Sequence, residues 1–325
     1  MPPKPPSHSS LHRSLFSVGS SPSLPSLQPL PATDFFDIVS DVTTPRGVFR
    51  LYKTEPIHDS IALCVHGASF TALSFAPLAK RLKSKCTIVA PDLRHHGETQ
   101  VSGPLSTDNL VQDLLSILQQ IADDNSSFSK LKLFLVGHSL GAALVCHLST
   151  ASLPSVFDPK GIVCIDVAEN TAIDNLSFMK QYLIERPSSF PNLKTAFKWA
   201  KSSGTILNTE AIRVHIPSML KQTESGWVWR VSADLLIENE DHWRSWFEGS
   251  FDKFIAFPGG RMLVLANLDR LDKEGIIMQM AGKFQVEVVR NTGHSVHEDD
   301  PESVSRLFSI FVDRFSKDLP FVNKI

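Results

Sequence analysis

From Asp34 onward, short β-branched and apolar runs alternate with longer runs whose apolar positions recur every three or four residues. This pattern predicts a mostly parallel sheet covered by helices. Gly47 to Tyr52, Ile61 to Val65, Thr87 to Ala90, Lys132 to Val136, Gly161 to Val167, Arg261 to Ala266 and Gln285 to Val289 read as strands. Several are almost wholly apolar, as strands buried on both faces are. Between Ser106 and Ala122, Leu110, Leu114, Leu118 and Ile121 step by 4, 4 and 3, the stripe of an amphipathic helix that Ser106 or Thr107 would cap. From about Asn170 to Ser250 the rhythm breaks, and Trp199, Trp227, Trp229, Trp243 and Trp246 fall among helix-like segments with no alternating strand. An insertion at the carboxyl edge of a parallel sheet overlies the place where such folds bind ligands, so 170–250 reads as a helical lid or recognition region. The plainer reading is that these aromatics pack the insertion's own core.

Composition sets the boundaries. Residues 1–31 carry 8 of the 21 prolines and 9 serines, with no acidic residue before Asp34. We therefore expect 1–33 to be a disordered tail and 34–325 to form the folded domain. The proline density also argues against an amphipathic organelle presequence. With 42% hydrophobic residues the rest has material for a large core, and a formal charge of −2 supplies no global field for nucleic acid or an anionic membrane. Cys64, Cys86, Cys146 and Cys164 form no C-x-x-C pair and read as reduced core thiols, implying neither a metal nor a disulfide framework. No run approaches 18 apolar residues, so an intracellular, cytoplasmic or nuclear location is expected.

The chemistry begins at Gly137-His138-Ser139-Leu140-Gly141, which follows a predicted strand and precedes a helix-like run. A G-x-S-x-G sequence in that setting is a nucleophile elbow, whose glycines allow a tight turn that leaves the serine Oγ exposed. A serine hydroxyl needs a base, and His294, in the loop after the last strand, fits that role. Two strand ends offer the orienting acid. Asp269 or Asp272 follows Leu263 to Ala266, and Asp166 ends Ile162 to Ile165; spacing alone leaves these open. The oxyanion donors would be the backbone N–H groups of Leu140 and, in His66-Gly67-Ala68-Ser69, of Ala68. The adjacent His95 and His96 read as loop hydrogen-bonders, and His297 with Glu298, Asp299 and Asp300 as an imitation of a metal cluster.

Together the motifs resemble one family, the protein phosphatase methylesterases, over about Asp34 to Phe315. The resemblance rests on Asp34-Phe35-Phe36-Asp37, Leu93-Arg94 with His96 to Thr99, Gly137-His138-Ser139, Ile165-Asp166-Val167, Trp243 with Trp246-Phe247, Asp269 to Lys273, and Gly293-His294 with His297 to Asp299. It implies an α/β-hydrolase fold and demethylation, by a serine hydrolase, of the C-terminal leucine methyl ester of the protein phosphatase 2A catalytic subunit. It implies no cofactor, and it selects Asp166 as the acid. His66-Gly67-Ala68-Ser69 departs from the family's glycine-rich run, and Glu169-Asn170 stands where Glu-Gly is common. Trp243 and Trp246, three apart, would share a helix face and contact substrate or phosphatase, or else belong to the core. The rival readings are a general carboxylesterase and a non-catalytic phosphatase-binding protein or ligand receptor. A dehalogenase or epoxide hydrolase would need aspartate where Ser139 stands.

Overall fold

Alternation along each central strand divides the interior into two layers. In the computed structural model, which describes residues 27–55, 58–125 and 128–317, Leu63, Leu133, Ile162 and Leu263 face one apolar cluster. Their neighbours Ala62, Phe134, Val163 and Met262 face another. Eleven strands are present among the described residues: β1 (Ile38–Thr44), β2 (Gly47–Lys53), β3 (Ser60–Val65), β4 (Thr87–Pro91), β5 (Leu131–His138), β6 (Phe157–Ile165), β7 (Ser189–Phe190), β8 (Leu220–Thr223), β9 (Gly226–Trp229), β10 (Gly260–Leu265) and β11 (Gln285–Val288). Eight make one sheet in the order β1-β2-β4-β3-β5-β6-β10-β11. It is parallel from β4 to β11, with β2 antiparallel to both β1 and β4. Helices Thr107–Asp124 and Leu140–Leu148 contribute to the first cluster, and helices Ala76–Leu82 and Pro301–Phe315 to the second. Ser106 does cap its helix, accepting from Asn109 N–H at 3.3 Å.

Three features differ from the sequence expectation. β1 is an additional edge strand, whose outer positions are exposed or half-buried and so lack the apolar density that marks its neighbours. The insertion is not wholly helical, because β7, β9 and β8 form a small antiparallel sheet. Its strands are two to four residues long, too short for an alternation to register. Finally, the tail lies outside the described residues only through 26. Leu30 N–H donates to Arg213 O at 2.9 Å, Arg213 Nε donates to Gln28 O at 2.7 Å, and Leu27 packs against the insertion's core.

The tryptophans divide between two cores. Trp229 is buried in the insertion's own cluster, with Trp199 and Trp227 packed against it. Trp243 and Trp246 instead lie in the main core, 1% and 0% exposed, so neither offers a surface to substrate or partner. The shared helix face expected of them is real, but it is the inward face of helix Glu240–Phe247. Trp246 Nε1 donates to Leu105 O at 2.6 Å, which satisfies its one polar atom.

At the carboxyl edge, buried histidines tie the loops together. Leu93 N–H donates to His66 Nε2 at 3.0 Å, which leaves the ring proton on Nδ1 for Gly67 O at 2.8 Å. Ser69 N–H donates to His96 Nε2 at 3.1 Å, and His96 Nδ1 donates to Arg94 O at 2.7 Å. Both rings must therefore be neutral. Asp92 adds a third tie, accepting from Ala72 N–H at 2.8 Å and Glu98 N–H at 3.0 Å. Burial pushes His96 down to about 4 and, with neighbouring imidazoles, holds His66, His138 and His297 well below the usual histidine range.

Two predictions follow from this packing. Trp246→Ala should cost about 3–5 kcal/mol in chemical denaturation, the scale for emptying a buried aromatic site; a loss below about 1 kcal/mol would place the ring outside the core. The second concerns pH. Below the unfolded value of about 6.5, the unfolded chain takes up protons on these four histidines that the fold refuses. The stability they contribute is complete above that pH and is lost as pH falls toward 4. Burial raises Asp92 to about 6 and also raises Glu298 and Asp299, so proton uptake by the fold at these carboxyls opposes the loss in part, at Asp92 already within this window, without matching four histidines. The melting temperature should therefore drop between pH 7.5 and 6.0, and a flat or rising profile would contradict the neutral-histidine scaffold.

Candidate active site

Ser139 sits between the end of β5 and helix Leu140–Leu148 with φ 52° and ψ −121°. A non-glycine residue pays for that conformation, and close packing on both sides holds it there. A Cβ on Gly137 would lie 2.2 Å from Gly141 O, and one on Gly141 would lie 2.0 Å from Val65 O. Ser139 N–H donates to Ile165 O at 3.0 Å, fixing the turn to β6. The serine thus stands at the head of a helix, where the N–H groups of the first turn face outward.

Asp166, directly after β6, also has positive φ, at 55°. Its Oδ1 accepts from Ala266 N–H at 3.0 Å, and its Oδ2 accepts from His294 Nδ1 at 2.7 Å. With the Nδ1 proton committed to Asp166, Nε2 of His294 is left as a base. The guanidinium of Arg270 shares the same Oδ2 and lies 3.3 Å from His294 Nδ1. From behind, His138 Nε2 donates to His294 O at 3.0 Å, while Asp299 takes Gly293 N–H at 2.7 Å and Leu207 N–H at 2.6 Å. The other candidate acids have local duties. Asp269 bonds to Asn267, and Asp272 caps helix Lys273–Met280 through Gly275 N–H at 2.8 Å and accepts from Asn170 at 2.9 Å.

Ala68, Ser69, Ser139, Asp166 and His294 all line one cavity of about 640 Å³, walled on the far side by the insertion. A neighbouring depression of about 660 Å³ shares Arg270 but not Ser139. Ser139 and His294 face the same cavity, and among the described residues no hydrogen bond joins Ser139 Oγ to His294. Leu140 opens the helix after Ser139, and Ala68 lies on the loop after β3 and lines the cavity. Glu169, beside the atypical Asn170, takes Gly249 N–H at 2.8 Å and Phe251 N–H at 2.7 Å, and so anchors the next helix. His297 is fully buried and Glu298 pairs with His215 at 2.8 Å, so these two are packed behind the cavity.

Two residues at the site carry no sequence signal of their role. Arg270 was legible only as part of a motif, and Arg186, which reaches the cavity from the insertion, not at all. An isolated arginine beside a proline looks like any surface arginine until packing is known.

The profile of the Alpha/beta hydrolase family matches residues 62–307. A probable protein phosphatase methylesterase 1 of Caenorhabditis elegans is 37% identical, covering 85% of this chain and 75% of its own. Protein phosphatase methylesterase 1 of Schizosaccharomyces pombe is 39% identical over 82% and 79%, and that of Homo sapiens 32% identical over 88% and 85%. Among solved structures, E-2-(acetamidomethylene)succinate hydrolase superposes with a TM-score of 0.69 at 20% identity, covering 85% of this chain and 99% of the other, a likeness of fold alone. Shared sequence over most of both chains, on a hydrolase sheet with a serine at its elbow, means that this chain belongs to the protein phosphatase methylesterase family of α/β-hydrolases.

Proposed function

We propose that this carboxylic ester hydrolase demethylates the C-terminal leucine methyl ester of a protein phosphatase 2A catalytic subunit, with Ser139 as nucleophile, His294 as base and Asp166 as orienting acid. The observation that carries the assignment is the 2.7 Å bond from His294 to Asp166 in the cavity that also exposes Ser139 at a strained elbow. Names of relatives over most of the chain support the substrate class.

Ser139 Oγ attacks the ester carbonyl as His294 Nε2 takes its proton. The carbonyl oxygen becomes an oxyanion, held by the N–H groups of Ala68 and Leu140. Collapse breaks the C–O bond to methoxide, which leaves as methanol with the proton from His294. Water then attacks the acyl-serine as His294 Nε2 takes one of its protons; collapse breaks the bond to Ser139 Oγ, which takes that proton back from His294, and the freed C-terminal acid ionises to its carboxylate. Throughout, Asp166 keeps the Nδ1 tautomer and stabilises the imidazolium.

Ser139→Ala should lower kcat by about 10⁶ and abolish fluorophosphonate labelling. Equal labelling of the variant would remove Ser139 from its role. Asp166→Asn should cost on the order of 10⁴ in kcat, whereas Asp269→Asn should leave turnover near wild type; the reverse order would return the acid to the loop after β10. For substrate, kcat/KM on intact methylated phosphatase catalytic subunit should exceed that on its methylated C-terminal peptide by about 10² or more, because remote binding energy organises the site. Equal efficiency on protein, peptide and nitrophenyl esters would make the chain a general esterase.

A further inference from the structure

Arg186, the residue after helix Leu176–Glu185, is 7% exposed and has no carboxylate partner among the described residues. Its Nη1 donates to Ser69 Oγ at 3.0 Å and its Nη2 to Val231 O at 2.6 Å. The guanidinium carbon stands 4.5 Å from the centre of the Trp229 ring, whose Nε1 donates to Pro187 O at 2.6 Å. Burial lowers the group only to about 10, so the charge persists at neutral pH. A buried cation without a counter-ion is costly, and a mere structural anchor could be apolar.

What it grips is the point of interest. Ser69 has φ 67° and directly follows Ala68, one of the two proposed oxyanion donors. Its N–H is held by His96 and its hydroxyl by Arg186, so the strained residue is clamped from the sheet side and from the insertion. The loop needs such support, since a serine has no intrinsic preference for left-handed backbone. Arg186, Ala68, Ser69 and Ser139 line the same cavity, so the unneutralised charge belongs to the wall that carries the oxyanion loop.

We propose that Arg186 is a positioning residue for ester hydrolysis, clamping Ser69 so that the Ala68 N–H stays aimed at the oxyanion and adding positive potential on that side of the cavity. The inference rests on the serine-hydrolase reading of Ser139 but not on the identity of the protein substrate. It ties the oxyanion loop to the insertion, so that seating of residues 186 and 231 and competence of the loop are one event.

The test compares wild type, Arg186→Met, Arg186→Lys, Ser69→Ala and the double variant Arg186→Met/Ser69→Ala as full chains, with p-nitrophenyl acetate for kcat and KM and with a fluorophosphonate for the labelling rate. Since loss of one direct oxyanion donor costs about 10²–10³, loosening one should lower kcat by roughly ten- to a hundredfold, with KM within about twofold. Labelling should slow in parallel. Lysine cannot bridge two acceptors with a fixed fork, so Arg186→Lys should fall between. If Arg186 acts through Ser69, the double variant should be less impaired than the product of the single effects. Unchanged kcat, a rise in KM alone, or fully multiplicative effects would overturn the proposal. Should Arg186→Met not fold, Ser69→Ala and Arg186→Lys decide, because each must lower kcat at unchanged melting temperature. Wild type that hydrolyses the nitrophenyl ester with this pattern, yet leaves methylated phosphatase untouched, would defeat the phosphatase reading and leave the proposal standing.

Discussion

The close approach of helix Leu140–Leu148 to β3 is the constraint on which the rest depends. At Gly141 the helix comes so near Val65 O that even a methyl group is excluded, and at Gly137 the strand is pressed equally hard against the helix. That contact forces the chain to turn within one residue, and Ser139 absorbs the strain. Relief by relaxing the turn would pull the helix off β3 and β5 and open the core where packing is densest. The energy stored at the serine is therefore held by the sheet, and its hydroxyl is presented to the cavity without any flexible arm.

Around that fixed point the polar groups obey one rule. Each loop at the carboxyl edge is buried enough that its backbone N–H groups cannot be left to water, and neutral imidazoles or carboxylates meet many of them. His66 and His96 carry one lone pair each toward a neighbouring loop, and Asp92 and Asp299 each take two N–H groups. The same architecture turns His294 toward Asp166 through Nδ1. His66 and His96 have both ring nitrogens engaged and lie buried, whereas His294 is half-exposed at the cavity.

The sequence disclosed the parts of this design that depend on backbone sterics or on long apolar runs. The elbow was legible because only glycine tolerates the contacts at 137 and 141, and the central strands because they are buried on both faces. Spacing left three aspartates open as the acid and the family resemblance chose Asp166; the fold bonds that residue to His294 and makes Asp272 a helix cap. Trp243 and Trp246 show the limit of periodicity, which reports a shared face but not which way it points. β1 and the hairpin of β8 and β9 escaped because edge strands and very short strands have little apolar signal to give. Arg186 lay beyond reach altogether, its meaning residing in a hydroxyl 117 positions away.

The strap at the amino end of the described chain changes how the insertion must be pictured. Gln28 and Leu30 are stitched to Arg213, and half-buried Leu27 packs against the insertion's hydrophobic core. A flap held only by its two chain connections has two tethers; this insertion has a third along Arg213. Phe178 and Tyr182, both exposed, line the same cavity as the serine, so the part of the wall that helix Leu176–Glu185 supplies is apolar and open to solvent at its rim.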